Sequence, residues 1–207
     1  MKKFQTELCK IAFKYGTDKC PQIGHTYTPF YYEFFKGRKD TVKKVLELGI
    51  GHYRGIQKIK KMYDHGLNRQ YHRGASLYMW RDFFPNAQIY GADYQADSLF
   101  RDDRIETFFC DERKKQDLVK LIENTGSDID IFIDDASHHW GEQLFTCQTL
   151  MPLLSKDVVY IIEDVVFSKK LMSGLLEYEC ITPPILNQGG INQLIVVKHN
   201  SNKKLLK

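Results

Sequence analysis

Two acidic clusters in this chain each close a short apolar run. Ile131-Phe132-Ile133 leads into Asp134-Asp135-Ala136-Ser137-His138-His139, and Val158-Val159-Tyr160-Ile161-Ile162 leads into Glu163-Asp164. Carboxylates are hard oxygen ligands suited to a divalent cation, and an imidazole beside them can take a proton near neutrality. Four carboxylates and two histidines delivered to one place would serve metal binding, proton transfer or both. An isolated Asp-Asp pair is explained equally well as a helix cap, because Asp is a favoured N-cap residue. The second pair, at the end of the next apolar run, tips the reading towards a functional site, since clustered acids perturb one another.

The elements that must position these groups can be read from the same runs. Uninterrupted β-branched and aromatic residues predict strands buried on both faces of a parallel sheet, and ligands of such sheets bind outside the carboxyl ends of the strands. Val42 to Gly49 predicts a first strand running into a glycine turn, Gln88 to Asp93 a second, and Thr107 to Asp111 a third. Ile129 to Ile133 and Val158 to Ile162 are the fourth and fifth. Helical patterns lie at Gly74 to Phe84, Gln116 to Asn124 and Glu142 to Leu154. This alternation predicts an α/β, doubly wound, Rossmann-like fold. Glu177 to Ile181 and Leu194 to Lys198 are strand-like but separated by Pro183-Pro184, Asn187 and Gly189-Gly190, so they are expected to pair as an antiparallel hairpin at one edge. The expected sheet is mostly parallel, with seven strands.

Residues 1–36 are rich in aromatics and predict one or two short helices around Gly16-Thr17-Asp18-Lys19, forming an N-terminal cap. Core packing accounts for most of these aromatics; His25 and Tyr27 stand between packing and the site. Met79 and Trp80 read as core. Residues 52–73 predict a long loop, of a length that is usually functional, and the lysine-rich tail from Asn200 is expected to fray.

At 207 residues and 43% hydrophobic content the chain reads as a single domain with one sizeable core. A net charge of +4, with Lys and Arg spread along the chain, argues against a nucleic-acid partner. The basic groups Lys58, Lys60, Lys61 and Arg113-Lys114-Lys115 read as solvated faces. Five scattered cysteines without a CxxC pair indicate neither a zinc site nor a disulfide framework, which fits a reducing compartment. Met1-Lys2-Lys3 is not followed by an apolar core and no run is long enough to span a bilayer, so a cytoplasmic protein without membrane partners is expected. A homo-oligomer is compatible with the composition.

Glu47-Leu48-Gly49-Ile50-Gly51 follows the first strand, where glycines allow a sharp turn and close approach of a cofactor to the backbone. A dinucleotide fingerprint would place its third glycine at Arg54, yet Gly55 comes one residue late and a long loop replaces the helix N-terminus that grips a pyrophosphate. NAD is therefore disfavoured. Asp93 stands where an acid can accept ribose hydroxyls, and Asp111 within reach of an adenine amino group. Either acid alone would be a turn residue. Glu47, Asp93 and Asp111 at successive strand ends suit an adenosine cofactor without phosphates.

Glu47-Leu-Gly-Ile-Gly51, Gly74-Ala-Ser-Leu-Tyr-Met-Trp80, Phe84-Pro-Asn-Ala-Gln-Ile-Tyr-Gly91, Asp134-Asp-Ala-Ser-His138 and Ile162-Glu-Asp164 together resemble the macrocin and mycinamicin type of S-adenosylmethionine-dependent sugar O-methyltransferases. Lys14-Tyr-Gly-Thr-Asp-Lys19, His25 and Tyr27 match the same pattern, and the resemblance spans residues 14–166. It implies a class I methyltransferase fold, S-adenosylmethionine and Mg²⁺ as cofactors, and a sugar or glycoside acceptor. It also implies that Asp135, Glu163 and Asp164 ligate the metal and favours His138 as the base over its neighbour His139, which could substitute for it. Glu47, Gly49, Gly51, Ser76, Asp93, Asp111 and Asp134 form the implied cofactor set, Asp134 facing the cofactor side or capping the next segment. A longer loop after Gly51, and Ala136 where the family usually has glycine, depart from the pattern.

Adjacent residues of a regular strand point to opposite faces, so Glu163 and Asp164 can share one metal only if the strand has already ended and the backbone turns. The rival readings are a metal-independent small-molecule methyltransferase and a non-catalytic domain that binds adenosine or a glycan. Metal dependence separates the first from the leading reading, and turnover separates the second.

Overall fold

The computed structural model describes residues 5–51, 73–185 and 193–200. Eight strands form one sheet in the order β3-β4-β2-β1-β5-β6-β8-β7. They are β1 (Lys44–Leu48), β2 (Gln88–Asp93), β3 (Arg101–Asp102), β4 (Ile105–Phe109), β5 (Ile131–Asp134), β6 (Val159–Ile162), β7 (Tyr178–Ile181) and β8 (Ile195–His199). The five central strands run parallel, and β8 pairs antiparallel with both β6 and β7. The terminal pair is thus the expected hairpin, with its second strand inserted next to β6.

Alternation along the strands sends side chains into two separate cores. Val45, Ile89, Ile131, Ile133, Val159 and Ile161 face one side, where α1 (Glu7–Tyr15), α2 (Tyr27–Phe35) and α3 (Ala75–Phe83) cover them with Leu8, Tyr31, Phe35, Leu77 and Trp80. Leu46, Leu48, Phe132, Tyr160 and Ile162 face the other, under α4 (Lys115–Thr125), α5 (Trp140–Leu150) and α6 (Ser168–Ser173). Both faces of the central strands are buried, which is why their sequences read as continuous apolar runs. No helix among the described residues is long and apolar enough to cross a membrane.

The N-terminal segment is built by local signals. The Thr6 hydroxyl caps α1 by accepting the Cys9 N–H at 3.1 Å, and Gly16, at φ 80°, ends the helix by donating to the Ala12 carbonyl. That left-handed turn sends Thr17-Asp18-Lys19 back across the ends of the strands. In α2, Tyr27, Tyr31 and Phe35 follow one another at four-residue spacing and are all fully buried, forming one face of the helix.

The structure departs from the expected elements in three places. The two-residue strand β3, antiparallel to β4, makes the sheet eight-stranded instead of seven; it is exposed and too short to show alternation. β4 begins at Ile105 and ends at Phe109, so Asp111 lies two residues beyond the strand. The short helix α6 has a single buried apolar residue, Leu171, and so no periodic signal. The long-loop reading at 52–73 and the frayed-tail reading from Asn200 lie, except for Arg73 and Asn200 themselves, outside the described residues.

Candidate functional site

Strand register brings the acids together. Leu48 of β1 pairs with Asp134 of β5, and Asp134 with Ile162 of β6. The ladder continues one residue further: the Asp135 N–H donates to the Leu48 carbonyl at 2.8 Å, and the Glu163 N–H to the Asp134 carbonyl at 2.9 Å. Glu47 pairs with Ile133, and Ile133 with Ile161. Asp135 and Glu163 therefore lie two residues beyond Glu47's level and project to the same face, towards the N-terminal helices. The chain order reverses between β1 and β5, the place where open α/β sheets leave a crevice for ligands.

After Ile162 the strand has ended. Asp164 has φ 52°, a left-handed conformation uncommon for a residue with a side chain, and this turn keeps the Asp164 carboxylate on the same side as Asp135. Asp135, His138 and Asp164 each present one ligand atom, all within 4.8 Å of one another. His138 Nε2 is 3.2 Å from Asp164 Oδ2, and half of the His138 side chain is open to solvent. His139 instead starts α5, donates its N–H to Ser137 Oγ at 3.1 Å and lies beside Trp140.

The N-terminal segment supplies the other half of the site. The Lys19 ammonium is 2.5 Å from Asp135 Oδ2, 2.5 Å from Glu163 Oε2 and 3.4 Å from Glu47 Oε1, with only 2% of the side chain exposed. Burial works against that charge, but Asp135, Glu163 and Glu47 outweigh it and hold the ammonium well above its ordinary pKa. Tyr31 donates its hydroxyl to Glu163 Oε1, and Tyr27, one turn earlier, donates to Asp164 Oδ1. The His25 ring stacks on Tyr27 with centroids 4.9 Å apart and brings Nδ1 to 3.6 Å from Asp164 Oδ1. Burial raises both phenols far above their usual range, so they stay protonated donors. Burial also raises Glu163 and Asp164, and the charge on Asp135 adds to the rise in both.

The residues expected to bind metal thus divide. Asp135 and Asp164 meet His138, whereas Glu163 is turned to Lys19 and Tyr31. Lys19 and Tyr31 were not singled out from the sequence. The signal for Lys19 was indirect: acids packed this closely need a buried cation, and Lys19 follows the glycine turn that ends α1. Tyr31 was hidden among aromatics whose packing role is equally real.

The expected cofactor residues take several different places. Gly49, at φ 87°, sits where a Cβ would come 2.2 Å from the Asp135 carbonyl oxygen, so its glycine is required by the approach of the β1 and β5 ends. Gly51 has φ 71°. Asp93 closes the turn between them, accepting the Ile50 N–H at 3.1 Å on one oxygen and the Gln95 N–H at 2.9 Å on the other. Glu47 is fully buried and accepts from Trp80 Nε1 at 2.6 Å, with the Ser76 side chain beside it helping to lower a carboxyl that burial raises. Asp111 is gripped by Arg113 at 2.7 and 3.0 Å, which pulls its carboxyl down to about 2. Asp134 points to the opposite face from Asp135, where it accepts the Tyr160 hydroxyl at 3.0 Å and burial pushes it up to about 7.

The donor set fits a divalent cation. Glu47, Asp135 and Glu163 share the Lys19 ammonium, while Asp164 meets the His25 and His138 rings and the Tyr27 hydroxyl. The acids thus outnumber the one buried ammonium among the described residues, an arrangement that a further counter-charge would stabilise. Two convergent carboxylates beside a solvent-open edge match a hard cation that retains several waters.

Over 158 residues, 76% of this chain, the sequence is 34% identical to the 8-demethyl-8-(2-methoxy-alpha-L-rhamnosyl)-tetracenomycin-C 3'-O-methyltransferase of Streptomyces olivaceus. It is 31% identical, over the same share, to the mycinamicin VI 2''-O-methyltransferase of Micromonospora griseorubida. Over 76% of its length the chain is thus similar to the macrocin and mycinamicin type of sugar O-methyltransferases. It spans about a third of the length of these curated relatives, 36% in both cases. The fold also superposes on that of the MycE methyltransferase, solved in complex with Mg, SAH and mycinamycin VI, with a TM-score of 0.71 and 24% identity. That match covers 96% of this chain and 56% of MycE, and identifies the fold as the Rossmann-like methyltransferase fold. No family model matches the chain.

Proposed function

We propose that this chain transfers a methyl group from S-adenosylmethionine to a hydroxyl of a sugar or glycoside with the help of Mg²⁺. The observation that carries the reading is the convergence of Asp135, His138 and Asp164 at the carboxyl ends of two adjacent parallel strands. Similarity to relatives named as O-methyltransferases of glycosides supports the acceptor class.

When bound, S-adenosylmethionine supplies the methyl sulfonium, and Mg²⁺ stabilises an acceptor oxygen whose pKa otherwise lies far above neutrality. Asp135 and Asp164 would hold the cation, with Glu163 beside them as the third acid. His138, half exposed and next to Asp164, is the base: it takes the hydroxyl proton, and Asp164 stabilises the imidazolium that results. On the cofactor side, Asp93 and the Gly49-Ile50-Gly51 turn would hold the ribose end, with Asp111 near the adenine. Gly49, Gly51 and Asp93 support this role because their turn is already fixed by the Ile50 N–H bond. Glu47 and Ser76 act from beneath, and Asp134 from the far face of β5. With the partners oriented in this way, positioning supplies much of the acceleration.

The test is mass spectrometry of a glycoside panel incubated with the protein, S-adenosylmethionine and Mg²⁺. A product heavier by CH2, a methyl in place of the hydroxyl hydrogen, is expected, and it should disappear with EDTA or in Asp164→Ala and His138→Ala. Methylation at full rate in EDTA would overturn the role of the metal. Cofactor binding without turnover on any glycoside would favour a non-catalytic domain.

A further inference from the structure

Lys19 is the one cation that the described N-terminal segment buries in the acid cluster, and its partners are informative. The ammonium does not pair with one carboxylate; it bridges Asp135 and Glu163 at equal distances, with Glu47 as a third neighbour. Asp135 is also one of the three residues whose ligand atoms converge on the candidate cation position. Glu163, the acid aligned beside Asp164, is occupied by Lys19 and Tyr31. A divalent cation bound to Asp135 would stand close to a buried positive charge sharing the same carboxylate. Because the Lys19 side chain is almost fully buried, such like charges repel more strongly than they would in water.

We propose that Lys19 is an internal counter-ion that competes with the divalent cation for Asp135 and Glu163. The ammonium keeps the two carboxylates together and oriented, at the expense of cation affinity. Cation binding then draws Asp135, and with it Glu163, away from Lys19 and towards Asp164. Lys19 is thereby a positioning residue of the site, acting through the acids it holds. This inference rests on the cation reading of Asp135 and Asp164 given above.

The experiment is titration of the whole chain with Mn²⁺, followed by the paramagnetic resonance signal of the free ion, in the parent and in Lys19→Met. Methionine keeps the length and apolar bulk of the lysine stem without its charge. Lys19→Met is expected to bind Mn²⁺ at least about tenfold more tightly. It should also melt lower without added ion and gain more melting temperature from Mn²⁺ than the parent does. A lysine that merely filled space would lower the melting temperature and leave Mn²⁺ affinity unchanged or weaker, and that result overturns the competition. If Lys19→Met does not fold, the parent carries the test: Mg²⁺ titration should shift the Nζ resonance assigned to Lys19 by its loss in Lys19→Arg, and an unmoved resonance overturns the proposal. If the parent binds Mn²⁺ no better than Asp164→Asn does, the cation site itself falls and the competition with it. If the parent binds and Lys19→Met binds no more tightly, only the competition falls.

Discussion

The phenols of Tyr27 and Tyr31 each complete a different acid of the Glu163-Asp164 pair. Helical spacing puts the two hydroxyls one turn apart on a single face, and the β6 ending puts the two carboxylates side by side to meet them. Tyr31 is fully buried and its ring edge meets the Trp80 ring with centroids 5.2 Å apart, so the phenol is fixed by packing before it donates. Tyr31→Phe preserves that packing and removes only the donor, leaving Glu163 with one partner fewer in a buried place. A loss of about 1–3 kcal/mol is expected in urea unfolding, the scale of an unsatisfied buried polar group. Tyr27→Phe should cost a similar amount but also weaken Mn²⁺ binding, because Asp164 rather than Glu163 belongs to the converging group. Equal Mn²⁺ affinity in the two variants would contradict that division of labour.

At the scale of elements, the site depends on how closely the β1 and β5 ends approach. Gly49 makes the approach possible, since a Cβ there would meet Asp135 O, Ala136 Cα and Ala136 N, each at 2.5 Å or less. Gly49→Ala is therefore expected to destabilise the chain by more than about 1 kcal/mol, combining an unfavourable positive φ with a backbone clash. Gly37 has nothing within 4 Å of its Cβ position, so Gly37→Ala should change the urea midpoint little and serves as the comparison. The parallel strands were legible in the sequence because burial on both faces leaves an unmistakable apolar run, and so were the acids that terminate them. The two-residue β3 and the six-residue α6 were not, because elements so short carry no period. Lys19 was hidden for a different reason: its partners lie 116 and 144 residues away, and nothing local to a lysine after a glycine turn records them.

For the molecule as a whole, the N-terminal segment is both a layer of the fold and a wall of the site. It covers Val45, Ile131, Ile133, Val159 and Ile161 on one face of the sheet, and it brings Lys19, His25, Tyr27 and Tyr31 to the acids. A cap that only shielded apolar surface could be removed to leave a less stable but recognisable sheet. This one also neutralises buried carboxylates, and stripping it away would leave Glu47 and Glu163 without their cation on a newly exposed apolar face. A chain beginning after Phe35 is therefore expected not to fold cooperatively, with flat thermal melts and no dispersed amide spectrum. Lys19→Met, which keeps the cap and removes only the charge, should remain folded and cooperative. If the truncated chain instead melts cooperatively and still binds Mn²⁺, the acids are organised by the sheet alone and the N-terminal half of the site is dispensable.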